Sequence, residues 1–472
     1  MRSLTGALWS VAFVCVAAPG CGRTQPSHAA DGGMASDASM RLQPPSGGRS
    51  SAGSGGSAPT GAGRAAPASG AGGQTDDLDA GTPPTRPLLA TSGAQLVISG
   101  PQLGLQLTAA NLAEDADLFA VHQEFYGIPW AAFEAGTPPP APWSDLLMPL
   151  AAAAKRAQRG VFLSVSMLNG ARERLAATTR IEADQVKTDD ATTDRCYDFA
   201  SAPDRQARER AYLAYLDFML ALFEPRYLNL AVEVNLFFEK CPSATPALVQ
   251  LINRAYAHVK AAHPDLAVFP SFQIDHLYGY AKDSCPDQSA RDACFERGYA
   301  QLRDIQRDRF AMSSYPYLNG IGSPDQLPKD WFERGPRVGK ERGLIAETGW
   351  LSSALVARAS SGCQQVFDFD EAQSAAYLER VLTDASRLPL ELVTWWSDRD
   401  LLPTQFMTNC PCSFEKTWCE VLDIFRGAPV AGAPEAQFYG EVLIKAFGSL
   451  GLRHYDGTPK TAALELWTRA RR

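Results

Sequence analysis

Two glutamates stand at the ends of short apolar runs. Glu233 lies in Leu230-Ala231-Val232-Glu233-Val234-Asn235, and Glu347 in Leu344-Ile345-Ala346-Glu347-Thr348-Gly349-Trp350. A carboxylate inside an apolar strand is costly unless it is paired or used. Side chains alternate across a strand, so Ala231, Glu233 and Asn235 are expected to share one direction. Two such carboxyls at one opening can cleave an acetal. One protonates the glycosidic oxygen while the other attacks the anomeric carbon. At about 5 Å apart they oppose each other's ionisation, which keeps one protonated near neutral pH. The competing readings are a buried structural Glu233 bonded to a neighbouring strand, and a Glu347 that caps a loop.

Such chemistry needs elements that bring distant residues together. From residue 91 onward, short apolar runs alternate with longer helical patterns. The runs are Asp117–His122, Gly160–Leu168, Tyr227–Asn235, Leu266–Ile274, Phe310–Tyr315, Gly343–Glu347 and Leu390–Trp396, with a weaker one at Leu103–Thr108. Between them, Tyr212, Tyr215, Phe218, Met219 and Leu222 share a face at helical spacing. Leu248, Leu251, Ile252, Ala255 and Val259 do the same, after a Thr245-Pro246 helix start. Alternating strand and helix predicts an α/β fold with a parallel sheet. Polar and aromatic residues gather at the C-terminal ends of many strands. That favours a (βα)₈ TIM barrel over 91–472 rather than an open doubly wound sheet, whose site sits at one switch point.

The flanks and the composition narrow the function class. Formal net charge is −8, and no Lys/Arg block occurs in the body of the chain, so nucleic acid is not an expected partner. Residues 1–21 read as an export signal: Arg2, an apolar stretch from Leu4 to Ala18, then Ala18-Pro19-Gly20-Cys21, a lipobox-like end. The chain is therefore expected to be exported, either as a cell-surface or outer-membrane lipoprotein or as a secreted protein. Its membrane contact would run only through a lipid at Cys21. Residues 22–90 are rich in Gly, Ser, Ala and Pro without an aromatic residue, which predicts a disordered tether. No HExxH, Walker loop or GxSxG is present, and the expectation is a monomer without metal or cofactor. Beyond Cys15 and Cys21, eight cysteines remain. In an exported chain they point to disulfides: Cys196–Cys241, Cys285–Cys294, and Cys363 with one of Cys410, Cys412 and Cys419. Zinc at the last three is the alternative, although no His accompanies them.

With Glu233 on the fourth strand and Glu347 on the seventh, the pattern resembles glycoside hydrolase clan A. Ser313-Ser314-Tyr315-Pro316-Tyr317 and Ile345-Ala346-Glu347-Thr348-Gly349-Trp350 are similar to the sixth- and seventh-strand segments of family 53 arabinogalactan endo-β-1,4-galactanases. Gly451-Leu452-Arg453-His454-Tyr455-Asp456-Gly457-Thr458-Pro459-Lys460 resembles the closing segment of such barrels. The resemblance implies a retaining hydrolase of β-linked polysaccharide, such as β-1,4-galactan. It makes Glu347 the nucleophile and Glu233 the acid/base. Tyr315 would hydrogen-bond the nucleophile, and Trp395 or Trp396 would floor the sugar site. One position departs: the clan carries Asn before the acid/base, where this chain has Val232, and Asn235 is the candidate substitute. Trp130 and Trp350 are further aromatic candidates for sugar faces, against ordinary core packing. Glu124, Asn169, Arg172, Gln273, His276 and Asp398 could line the cleft, with Glu124 and Gln273 the first to test. A carbohydrate-binding barrel with little or no turnover, and an exported scaffold, are the readings from other classes.

Overall fold

The computed structural model describes residues 86–92, 103–123, 127–192, 195–280, 290–358, 364–388, 390–401 and 445–472. The export signal, most of the tether, Glu124, Cys285, Cys363, Cys410, Cys412 and Cys419 lie outside the described residues. Eight parallel strands form a closed barrel: β1 (Leu88–Ser92), β2 (Leu118–Gln123), β3 (Gly160–Val165), β6 (Tyr227–Ala231), β7 (Ala267–Gln273), β8 (Phe310–Ser314), β9 (Gly343–Thr348) and β12 (Leu392–Trp395). β1 pairs with both β2 and β12, which completes the closure. Two antiparallel hairpins are inserted at the C-terminal side: β4 (Thr178–Glu182) with β5 (Gln185–Asp189) after β3, and β10 (Leu355–Arg358) with β11 (Gln364–Phe367) after β9. The expected (βα)₈ architecture is thus present.

Strand alternation builds two cores. Leu88, Ala90, Leu118, Ala120, Phe162, Tyr227, Phe269, Ala311, Leu344, Ala346 and Leu392 point inward and fill the barrel. Leu89, Phe119, Val121, Leu163, Met312, Ile345 and Val393 point outward into a second core shared with the helices. Both faces of each strand are covered, which is why the runs read as continuous hydrophobes. Above the inner apolar layer sits a polar one. Asn229 Nδ2 donates to Ser164 Oγ and Ser271 Oγ, each at 3.0 Å, and its Oδ1 accepts from the Ser271 amide at 3.0 Å. These bonds tie β3, β6 and β7 together just beneath the barrel mouth. Each contributes roughly 1 kcal/mol net, and an orphaned partner would cost about 1–3 kcal/mol.

Several boundaries differ from the sequence expectation. Leu103–Thr108 is not a strand but opens the helix Leu103–Asp115. The first strand is instead Leu88-Leu89-Ala90-Thr91-Ser92, which begins inside the segment expected to be tether. Arg86 explains why the chain is ordered there: its guanidinium grips the Asp117 carboxylate at 2.7 and 3.2 Å, fixing β1 against β2. The fourth barrel strand stops at Ala231 rather than Asn235. The helix expected from Pro246 runs Thr245–Ala262 with Ala244 as its cap, and Thr245 Oγ1 donates back to Cys241 O at 3.2 Å.

The closing segment locks the barrel after β12. Trp395 Nε1 donates to Leu450 O at 2.8 Å, and Lys460 Nζ reaches Asp400 Oδ1 at 2.5 Å with both side chains buried. The final helix, Thr461–Arg471, buries Trp467, whose indole donates to Asp115 O at 2.6 Å. The expected Cys196–Cys241 disulfide is formed, with Cα atoms 5.3 Å apart. Cys294 is also disulfide-bonded; its expected partner, Cys285, lies outside the described residues.

Candidate active site

Simple alternation does not aim either glutamate; local irregularities do. In β6 the pairing with β7 shifts between Asn229 and Ala231, leaving an extra residue. Val232 and Glu233 then leave the strand, and Glu233 adopts a left-handed backbone (φ 50°, ψ 42°) as the cap of the helix Val234–Lys240. That conformation is uncommon for a residue with a Cβ and costs about 1–2 kcal/mol. It is held in place by the Glu233 amide, which donates to Ser271 Oγ at 3.1 Å. In β9, Ile345 pairs with Met312 but Glu347 pairs with Ser313, so Ala346 and Glu347 together face one residue of β8. Without that bulge Glu347 would follow Ile345 to the outer face. With it, Glu347 takes the inward phase of Ser313. Bulges re-aim side chains in this way beside active sites.

The two carboxylates are held by one neighbouring segment. Ser313 Oγ donates to Glu233 Oε1 at 2.6 Å. Tyr315, two residues on, donates its hydroxyl to Glu347 Oε2 at 3.3 Å. The Tyr315 phenol is pushed well above its usual range, first by burial and then by the Glu347 carboxylate, with Glu233 adding to it. It is therefore a permanent donor that senses both charges. On the other side of Glu233, Arg172 Nη2 approaches Oε2 at 3.4 Å. Facing Glu347 Oε1 at 3.4 Å is His122 Nε2. Burial, and then the nearby Arg172, depress the imidazole to about 3. The contact is consequently one between a neutral ring and a carboxylate, not an ion pair. His122 Nδ1 lies 3.3 Å from Ser92 Oγ, and Trp396 meets the imidazole edge-to-face with centroids 4.9 Å apart.

Of the residues singled out in the sequence, Glu233, Glu347, Tyr315, Trp396 and Arg172 converge here. The other described candidates are engaged in packing or in bonds of their own. Trp395 is buried on the outer face against Tyr377, where its indole holds Leu450. Trp350 is buried among Tyr317, Phe369 and Tyr377. Trp130 is buried with its indole on Ala176 O at 2.9 Å. None of these three presents a ring for a sugar to stack on. Asn235 sits in the helix after Glu233 and spends its amide on one backbone partner: Nδ2 donates to Gln273 O at 3.0 Å and Oδ1 accepts from Gln273 N at 2.8 Å. It does not replace the Asn missing at Val232. Gln273 caps the helix Ile274–Leu277 by accepting from His276 N, and its buried Nε2 has no partner among the described residues. Asn169 closes a turn by accepting from the Glu173 and Arg174 amides. His276 is bound to Glu239 at 2.8 Å. Burial raises Asp398 to about 7. Glu124 is outside the described residues.

Three members of the site carried little signal in the sequence. Ser313 was only one letter of a motif, and His122 ended a strand without standing out. Arg172 was one of several polar residues after strands, and only its left-handed backbone (φ 54°) shows how it turns into the mouth. Among the described residues, no three His, Cys, Asp or Glu side chains gather in a way that could hold a metal ion.

No family model matches the sequence, and no curated protein matches it. Solved structures do. An exo-β-1,4-mannosidase from Opitutaceae bacterium strain TAV5 is similar at 12% identity and a TM-score of 0.49, over 82% of this chain and 59% of that one. GH5_18 from Streptomyces cattleya, in complex with GlcNAc, is similar at 15% identity and a TM-score of 0.46, over 82% of this chain and 80% of that one. The catalytic core of a xylanase A is similar at 10% identity and a TM-score of 0.46, over 82% of this chain and 98% of that one. This chain thus spans 59% of the length of the mannosidase. These likenesses are ones of fold.

Proposed function

We propose that the chain is a retaining glycoside hydrolase of β-linked glycans, with Glu347 as nucleophile and Glu233 as acid/base. The observation that carries this is the tethering of both carboxylates to β8 and its end, Glu233 by Ser313 and Glu347 by Tyr315, at one barrel mouth. In the first step a Glu347 carboxylate oxygen bonds to the anomeric carbon while the Glu233 proton passes to the departing oxygen. In the second, Glu233 takes a proton from water, whose oxygen displaces Glu347 and restores the starting state. Tyr315 keeps its proton throughout and steadies the Glu347 carboxylate. Arg172 stands where it offsets the charge that Glu233 gains on giving up its proton. Trp396, beside His122, is the ring best placed to floor the sugar. β-1,4-Galactan is the substrate favoured by the motifs around Tyr315 and Glu347. The same reading takes the chain as exported and monomeric, tethered through Cys21 or secreted.

A polysaccharide panel with wild type, Glu233→Gln and Glu347→Gln tests it. Wild type should release reducing ends, with the β-anomer appearing first by NMR. Each variant should lose at least about 10²–10⁴-fold in rate. Full activity in Glu347→Gln, or an α-anomer as first product, would overturn the assignment.

A second reading, glycan binding with little turnover, is favoured by one observation. Val232 is fully buried where the clan carries Asn, and Asn235 is consumed by the Gln273 backbone. Wild type that binds a glycan without releasing reducing ends would establish that reading instead.

A further inference from the structure

We propose that the Cys196–Cys241 disulfide and Lys240 form a clamp that positions Arg172 against Glu233; the proposal rests on the hydrolase reading above. The helix Val234–Lys240 has Glu233 as its N-cap and Cys241 as its C-cap. Its seven residues make a bar about 10 Å long. Glu233 occupies one end of this bar, and the other end holds the loop that carries Arg172. There, Lys240 Nζ donates to Ala171 O at 2.5 Å. Cys241 is bonded to Cys196, whose amide donates to Glu173 O at 2.7 Å. The carbonyls on both sides of Arg172 are therefore gripped from the far end of the helix that Glu233 begins. Between those grips the Arg172 backbone is left-handed, and its amide donates to Asn169 O at 2.9 Å. The guanidinium then reaches back along the bar, donating to Asn169 O at 3.0 Å and approaching Glu233 Oε2 at 3.4 Å. Releasing either grip frees the loop at the far end and loosens the Arg172–Glu233 contact, while Glu233 keeps its bonds to Ser313 and Ser271. Cys196, Cys241 and Lys240 touch no reacting atom. They are positioning residues for the proton-donating side of the site.

The test uses the full chain in five forms: oxidised, reduced, Cys196→Ser/Cys241→Ser, Lys240→Met and Arg172→Gln. Reduction is by a dithiol, which closes to its own disulfide while two electrons and two protons pass to the two sulfurs. Hydrogen exchange at residues 169–174 and steady-state kinetics on a glycan that wild type cleaves are the readouts. Opening the disulfide should speed exchange in 169–174 about tenfold. It should lower kcat about tenfold to a hundredfold with KM nearly unchanged, and reoxidation should restore both. Lys240→Met should give the same pattern to a smaller degree, and it decides the matter should the serine variant not fold. In Arg172→Gln, reduction should add nothing further to the loss of kcat. Unchanged exchange in 169–174 would overturn the clamp. So would a fall of kcat on reduction as large in Arg172→Gln as in wild type, since that would mark general loosening. If wild type cleaves no glycan, the hydrolase reading fails by that result alone, and the exchange data still decide the clamp.

Discussion

Asp275 allows a test that needs no substrate. It lies in the short helix Ile274–Leu277 after β7, with no exposed surface. Neither carboxylate oxygen has a hydrogen bond of good geometry among the described residues, although the Ser314 hydroxyl gives some relief. Burial above all pushes this carboxyl up from 3.8 to about 7, and the Glu233 charge adds to it. Between those two values the folded protein holds a proton that the unfolded chain has lost. Stability therefore falls with rising pH over that window. The contribution is complete below about pH 3.8 and gone above about pH 7. The difference of about three units, at 1.36 kcal/mol each, amounts to about 4 kcal/mol. The unfolded carboxyl is already mostly ionised at pH 5, so about 2.5 kcal/mol of this disappears between pH 5 and pH 8. Asp275→Asn keeps the shape and removes the ionisation. Urea unfolding of wild type and variant at the two pH values gives the comparison. The variant should gain about 2.5 kcal/mol relative to wild type on going from pH 5 to pH 8. A gain within about 0.5 kcal/mol of zero would show that this carboxyl is solvated or paired, and would refute the reasoning.

His122 supplies the opposite slope. Its imidazole is depressed to about 3, so as pH falls from about 6.5 the unfolded chain takes up a proton that the folded one refuses, and stability is lost. His122→Asn should unfold less steeply in acid, as followed by circular dichroism; an identical slope counts against a neutral buried ring. Tyr315→Phe removes the donor 3.3 Å from Glu347 and should lower kcat/KM about fivefold, near 1 kcal/mol, with an unchanged melting curve. Lys460→Met takes from the buried Asp400 its lysine partner and should cost about 3–5 kcal/mol by urea unfolding. Adding Asp400→Leu should recover most of that loss, and failure to do so would mean the pair is not the cause.

Much of the fold could be read from the sequence because its signal is short-range. Seven barrel strands announce themselves as apolar runs, since both faces of each are covered. β1 was hidden: its five residues follow a long Gly/Pro-rich stretch, and its anchor, Arg86 on Asp117, depends on a partner 31 residues away. Leu103–Thr108 read as a strand because a run of six residues is too short for its period to separate a strand from the start of a helix. At the site, residue type revealed Glu233 and Glu347 but not their direction. That direction depends on a left-handed backbone and a bulge, and neither has a signature in composition. For the tryptophans the difficulty was one of side. Trp395 and Trp396 are adjacent, so one faces the core behind the sheet and the other the mouth, and only the register with β9 decides which. Arg172 and Ser313 matter through long-range partners, 61 and 80 residues away in the chain.

The bulge beside Glu347 has an evolutionary corollary. Loss of the Ala346 codon would remove the extra residue and straighten β9, yet leave Glu347 next after Ile345 and still opposite Ser313. The strand would keep its ladder, and the side chain would keep the inward phase that alternation gives the residue after Ile345. What aims this carboxyl is therefore its register against Ser313, a constraint that outlasts the irregularity of the strand and would persist through a one-residue shortening.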